Sequence, residues 1–251
     1  IDNKNTKVVL ITGAARRIGA EIAQHFHDLG YNVLLHYKDS AVEAKKLSEY
    51  LNSNRQNSAH MIQADLAALV NKDFCNNFIK QIMSAYGQLN VLVNNASSFF
   101  ATPFGEIDLE QWRDLMVSNA GGPFFLAQAV APFLKAMQGC IVNISDIHAE
   151  RPLKNYPVYS IAKAANNMVT KALARELAPD IRVNAVAPGP ILWPEDDNKL
   201  SDELQNKIIA KTLLQRVGKP SDIAKAVAFF AENDYITGQI LAVDGGRSVR
   251  D

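Results

Sequence analysis

Tyr159 and Lys163 stand four residues apart in a segment that reads as helical, so phenol and ammonium share one helical face. A lysine held there favours ionisation of the phenol, whose ordinary pKa is about 10, and equips it to give or take a proton near neutral pH. Such a pair occurs on many surface helices, so its meaning depends on its neighbours. Asp146 lies thirteen residues earlier, in a polar loop that opens at Ser145 after the apolar run from Ile141.

A second group of residues suits a nucleotide. Lys7 to Thr12 is a β-rich apolar run, Gly13 to Gly19 a small glycine-containing turn, Gly19 to Leu29 an amphipathic helix and Tyr31 to Tyr37 the next strand. At such a strand-helix junction, backbone N–H groups and the helix terminus can meet a pyrophosphate. Arg17 precedes Ile18 in this turn, and a cation at a helix start is electrostatically misplaced unless an anion joins it. The second strand ends in His36-Tyr37-Lys38-Asp39-Ser40, where an NAD site usually presents an acid to the ribose. Arg17, His36, Tyr37 and Ser40 therefore line a pocket suited to a 2′-phosphate. After the third strand, Asp65 either accepts from an adenine amino group, with Leu66 packing nearby, or caps the next turn.

Further along, Asn95, Ala96 and Ser97 follow the fourth strand, and their small side chains let backbone approach a ribose or nicotinamide. Phe99 and Phe100 sit in the same polar loop, where one ring can offer its face to a flat heteroaromatic substrate. Asn119 reads as a buried amide in a helix that Asp108 caps. Gly121-Gly122-Pro123 should interrupt or bend that helix. Pro188 and Gly189 make a rigid corner after the sixth strand, and Ile191 to Asp202, with Trp193, reads as a lid or substrate loop; with the helix after it, the segment spans 191–215.

These pieces need a scaffold that brings strand ends together. Strands and helices alternate without a low-complexity linker, which predicts an α/β, Rossmann-like doubly wound parallel sheet of about seven strands with helices on both faces. Its ligand crevice lies at the carboxyl ends of the strands, where every candidate above falls. At 251 residues, a single domain over 1–251 suffices. The charges balance at 26 basic and 26 acidic residues, so neither nucleic acid nor an anionic membrane is expected as a partner. Cys75 and Cys140 do not make a disulfide scaffold, no metal is expected, and no run approaches a membrane span. The start of the chain lacks the apolar run of a secretory signal, so a cytoplasmic protein is expected.

With the Gly13 turn, Asn94-Asn95-Ala96, Tyr159-Ser-Ile-Ala-Lys163, Pro188-Gly189 and Asp244-Gly245-Gly246 in order, the chain resembles the short-chain dehydrogenase/reductase superfamily over nearly its whole length. Within it, the chain looks most like the pteridine reductases, through Thr12 to Gly19, His36-Tyr37, Asn95-Ala96-Ser97-Ser98-Phe99 and an aspartate, instead of the usual serine, at 146. The resemblance implies NADPH as cofactor. It assigns Gly13, Arg17, Ile18, Gly19, His36, Tyr37 and Ser40 to the phosphate side of the cofactor, and Asp65 and Leu66 to its adenine. Asn95, Ala96, Ser97 and Ser145 fall to the ribose, phosphates or substrate.

The same resemblance places Lys163 on the nicotinamide ribose and in support of Tyr159, with Asn119 organising the lysine and water, and Pro188 and Gly189 over the nicotinamide. Phe99 would stack on a pterin, with Ser97, Asp146, Tyr159 and Trp193 completing the substrate pocket. Carbonyl-reducing relatives use a serine to steady an alkoxide, a task an ionised Asp146 cannot do. The implied reaction is reduction of a C=N bond in a pterin, dihydropterin or dihydrofolate, with Tyr159 and Asp146 in proton delivery. The alternatives are a general NADPH-dependent carbonyl or 3-oxoacyl thioester reductase and a non-catalytic nucleotide-binding regulator. Relatives of this kind imply a homotetramer or homodimer.

Overall fold

A computed structural model describes residues 6–193 and 200–250. Seven strands form one parallel sheet in the order β3-β2-β1-β4-β5-β6-β7. They are β1 Val8–Ile11, β2 Asn32–Tyr37, β3 Ala59–Gln63, β4 Val91–Asn94, β5 Cys140–Ile144, β6 Arg182–Pro188 and β7 Ile240–Val243. Between them run α1 Arg17–Asp28, α2 Ala41–Asn54, α3 Lys72–Tyr86, α4 Leu109–Met116, α5 Gly122–Ala136, α6 Pro157–Leu177, α7 Asp202–Ala210 and α8 Pro220–Glu232.

The inner strands are buried and largely apolar because both faces are covered, and the two amides Asn94 and Asn143 at the ends of β4 and β5 pair with each other at 2.8 Å. Side chains alternate across the sheet. Val9 and Ile11 of β1 join Ile22 and Phe26 of α1 and Ile223 and Val227 of α8 on one face. Val8 and Leu10 join Phe78 and Ile82 of α3 and Leu126 and Val130 of α5 on the other.

The order reverses on either side of β1, so the loops after β1 and β4 diverge and leave a crevice at the strand ends. β1 pairs with β4 through Ile11 and Val93, and β4 with β5 through Asn94 and Asn143, so the ends of these three strands flank the crevice.

Two local features differ from the sequence expectation. The expected break at Gly121 to Pro123 is instead a π-helical turn over Val117–Gly121, which leads directly into α5 with Pro123 in its first turn. The proline has no N–H to give the Asn119 carbonyl four residues earlier, and Asn166 Nδ2 donates to that carbonyl at 2.7 Å. Asp108 caps α4 as expected, in a reciprocal box with Gln111. The last strand is shorter than the run from Ile236, because Gly238 turns left-handed at φ 73° and Thr237 and Gln239 bond instead to Val183 and to the Asn184 side chain. No helix among the described residues is long and apolar enough to cross a membrane.

Candidate active site

The loop after β1 is shaped by contacts that leave room for nothing larger than glycine. Gly13 takes φ 62°, and a Cβ on Gly19 would lie 2.1 Å from the Gly13 carbonyl oxygen. Asn95 locks this turn to the next loop, with its Nδ2 donating to the carbonyls of Thr12 and Gly13 at 2.9 and 3.0 Å. The Thr12 hydroxyl accepts from the N–H groups of Asn95 and Ala96. The first turn of α1 carries no acid, and Arg16 offers its N–H groups no side-chain cap. This uncapped helix start, the glycine cradle and Arg17 fit a phosphate-bearing dinucleotide.

His36 has a different task from the one expected. It is buried, its Nδ1 accepts from Gly13 N–H at 3.2 Å, and Nε2 lies 3.1 Å from the Ala64 carbonyl, which requires the Nε2–H tautomer. The ring therefore shapes the glycine turn and has no nitrogen left for a phosphate, so the expectation of a direct contact is corrected. Burial pushes its pKa down to about 4, against a smaller upward pull from the Ala64 carbonyl. A histidine neutral when folded and protonated when unfolded binds fewer protons in the native state between pH 6.5 and 4, so stability falls as pH falls through that window. The loss should approach about 3 kcal/mol. His36→Phe should be less stable at pH 7, with Gly13 N–H and the Ala64 carbonyl left unpaired, but should show a flatter decline in acid; denaturant melts at pH 7, 5.5 and 4 measure both.

At the end of β3, Asp65 caps the short 3₁₀ turn Leu66–Val70 through Ala67 N–H and forms a 2.9 Å ion pair with Lys38. Of the two readings of Asp65, the structure displays the cap. Lys38 pairs with this residue, and the hydrogen bond from its ammonium holds the Asp65 carboxyl below its ordinary range. Leu66 packs against the core beside Gly122. Tyr37 and Ser40 lie half-buried at the end of β2 and the start of α2.

Five elements meet at a cleft of about 170 Å³. The glycine turn supplies Arg17 and Ile18, the loop after β4 Asn95 and Ser97, the end of β5 Ser145 and Asp146, α6 Tyr159 and Lys163, and the end of β6 Pro188 and Gly189. A larger cavity of about 540 Å³ lies toward β7, lined by Leu213, Leu214 and Arg216 and sharing only Ile191 with the first. The smaller cleft is the candidate site, because it joins Asp146, Tyr159 and Lys163 to the nucleotide turn.

Within it, the Tyr159 hydroxyl donates to Asp146 Oδ2 at 2.7 Å, while Asp146 Oδ1 accepts from His148 N–H at 2.8 Å. The aspartate is both loop cap and phenol partner, one oxygen for each. Lys163 Nζ donates to the Ile144 carbonyl at 3.0 Å and lies 5.7 Å from the centre of the Tyr159 ring. Both side chains are buried. Burial pushes Lys163 down to about 8, partly offset by Asp146. Burial and then the Asp146 charge and hydrogen bond push Tyr159 well above its ordinary value. The expected easing of phenol ionisation by lysine is thus reversed: the resting site keeps Tyr159 protonated, a proton donor.

Asn119 sits in the π-helical turn, buried, and donates to the carbonyls of Ser98 and Leu115, both at 3.0 Å. It thereby holds the loop that carries Phe99. Phe99 is stacked on Tyr156 with centroids 4.7 Å apart and planes within 9°, and meets Tyr159 edge-on at 4.8 Å. One face of the expected stacking platform is therefore covered by Tyr156, a residue the sequence reading did not single out, although it lies three before Tyr159. The Trp193 carbonyl accepts from Arg17 at 3.1 Å, tying the outer loop to the nucleotide turn, while Leu192 rather than Trp193 lines the cleft. The rest of the 191–215 segment is described from Leu200 onward, with α7 inside it; its residues 194–199 lie outside the described residues.

A doubly wound parallel sheet with a dinucleotide cradle at its switch point and a buried Tyr-Lys pair beside it defines a nicotinamide-nucleotide-dependent oxidoreductase. A family model described as enoyl-(acyl carrier protein) reductase matches residues 13–248. The chain is 35% identical over 281 residues to pteridine reductase 1 of Leishmania tarentolae, spanning 96% of each protein. It is 37% identical over 247 residues to the 3-oxoacyl-(acyl-carrier-protein) reductase FabG of Staphylococcus aureus, spanning 97% of this chain and 98% of that one. An uncharacterized oxidoreductase of Bacillus subtilis is 34% identical over 251 residues, with 96% and 98% spanned. The chain belongs to the short-chain dehydrogenase/reductase superfamily and is an NADPH-dependent oxidoreductase.

Proposed function

We propose that the chain is a pteridine reductase within this class, acting on the C=N bond of a pterin, dihydropterin or dihydrofolate. The observation that carries the reading is the 2.7 Å hydrogen bond from Tyr159 to Asp146. A carbonyl reductase must steady a growing alkoxide, and an ionised carboxylate beside it is repulsive. Reduction at C=N generates basic nitrogen instead, for which a phenol backed by a carboxyl is suited.

Bound NADPH supplies the hydride to the electrophilic carbon. Arg17, the Gly13 turn, Tyr37 and Ser40 would hold its phosphate side, Asn95 and Lys163 its ribose, and Pro188 and Gly189 would stand beside its nicotinamide. Tyr159 turns its O–H from Asp146 to the ring nitrogen and gives up the proton, and water entering the cleft as product leaves reprotonates the phenolate, which again donates to Asp146. Phe99, braced by Tyr156, offers its opposite face to the flat substrate, and close alignment of the reactants follows. Ser97 completes the pocket's polar edge, and Trp193, tied through its carbonyl to Arg17, stands in the loop beyond Leu192. A single domain, a homotetramer or homodimer, and a cytoplasmic location belong to the same reading.

The second reading is a carbonyl or 3-oxoacyl thioester reductase, and the comparisons give it the broader support. The matching family model and the staphylococcal relatives carry acyl-carrier names, whereas pteridine reductase enters through the Leishmania tarentolae protein. NADPH oxidation followed in parallel with dihydrobiopterin, dihydrofolate and an acetoacetyl thioester, with NADH as control, separates them. Efficient pterin turnover selective for NADPH supports the first reading. Turnover of the thioester alone overturns it.

A further inference from the structure

On α6, Tyr159, Lys163, Asn166 and Asn167 follow at i, i+4, i+7 and i+8, which places them along one face, and all four are buried. The two neighbouring asparagines serve opposite walls of the site. Asn166 Nδ2 donates to the Asn119 carbonyl oxygen at 2.7 Å, and Asn119 in turn holds Ser98, the residue before Phe99. Asn167 Oδ1 accepts from the hydroxyl of Ser145, the residue before Asp146, at 2.5 Å. One helix thus carries the proton donor and, through two adjacent amides, fixes both the stacking loop and the aspartate loop around it.

We infer that Asn166 and Asn167 are positioning residues of this reductase, setting Phe99 and Asp146 in register with the Tyr159 hydroxyl. Asn119 lies in a π-helical turn, whose departure from the regular ladder makes a donor from outside that helix a means of fixing its place. Stability alone is a poor reason for the amide at 166, because its Oδ1 is buried without a partner among the described residues. Displacement of either loop by about 1 Å is enough to cost about a hundredfold in rate. The inference rests on the reductase chemistry of Tyr159 and holds for either substrate class.

The test uses Asn166→Leu, Asn167→Leu, Asn167→Asp, Ser145→Ala and the Ser145→Ala, Asn167→Leu pair, assayed with whichever substrate the wild type reduces. Both leucine variants should lower kcat at least about tenfold while NADPH binding, read by nicotinamide fluorescence, stays within about threefold. Asn167→Asp keeps an acceptor for Ser145 and should recover kcat to within about threefold of wild type. The double variant should lose no more than either single change. Independently of turnover, carbon-13 tyrosine NMR should find Tyr159 ionising at lower pH in Asn167→Leu than in wild type or Asn167→Asp, because Asp146 is no longer held against it. Full kcat in folded leucine variants, or Asn167→Asp as impaired as Asn167→Leu, would overturn the inference. If Asn166→Leu does not fold, the Ser145 and Asn167 comparison decides alone. A wild type that reduces only the thioester sinks the pterin reading and leaves this test in force.

Discussion

Tyr159→Phe should lower turnover by about 10² to 10⁴-fold, the range for loss of a positioned proton donor, and leave NADPH affinity within about threefold. The ring fills the same volume and keeps its edge contact with Phe99, so packing around α6 persists. What disappears is the one hydroxyl aimed at Asp146 Oδ2. Since burial and the aspartate keep this phenol protonated in the resting site, the loss should be of the same order from pH 6 to pH 8. Steady-state kinetics beside a fluorescence titration of NADPH read both quantities; equal losses in binding and turnover would remove Tyr159 from the chemical step.

Lys163→Met should combine a turnover loss of about 10²-fold or more with a more stable protein at pH 7. A buried ammonium costs free energy, and burial lowers its pKa from 10.5 to about 8. Between those pH values the unfolded chain binds more protons than the folded one, so wild-type stability rises with pH across that window, by about 3 kcal/mol in all. Methionine has no such dependence. Its advantage is therefore largest below pH 8 and shrinks toward pH 10.5, less about 1 kcal/mol for the lost bond to the Ile144 carbonyl. Denaturant melts at pH 7 and pH 10 give the difference; a variant less stable than wild type at pH 7 would contradict the cost assigned to Lys163.

The sheet was legible in the sequence because strands buried on both faces leave apolar runs, as at Val8–Ile11 and Cys140–Val142, and helix punctuation such as Asp108 acts locally. The position of Asp146, Tyr159 and Lys163 was legible because loop order and helical spacing alone bring them near each other. Their electrostatics were not. Whether lysine or aspartate dominates the phenol depends on burial and on the 2.7 Å bond to Asp146, neither of which spacing encodes. His36 read as a ligand because a polar residue at a strand end is ordinarily exposed, whereas both its nitrogens are used inside the fold. Asn166 and Asn167 were not singled out in the sequence, since their partners lie 47 and 22 residues away in the chain. The π-helical turn was hidden for a related reason: Gly121-Gly122-Pro123 is a break signal in isolation, whereas in the fold the turn packs against α6 and the Leu66–Val70 turn.

In the proposed function Asp146, at the position where the resemblance expects a serine, selects nitrogen rather than oxygen as the site of protonation. Asp146→Ser tests it most directly, through kcat/KM for dihydrobiopterin and for an acetoacetyl thioester in variant and wild type, with NADPH saturating. The account predicts that pterin reduction falls by about 100-fold while thioester reduction rises, since a hydroxyl replaces a repelling carboxylate beside the alkoxide. Unchanged pterin reduction in Asp146→Ser would contradict it.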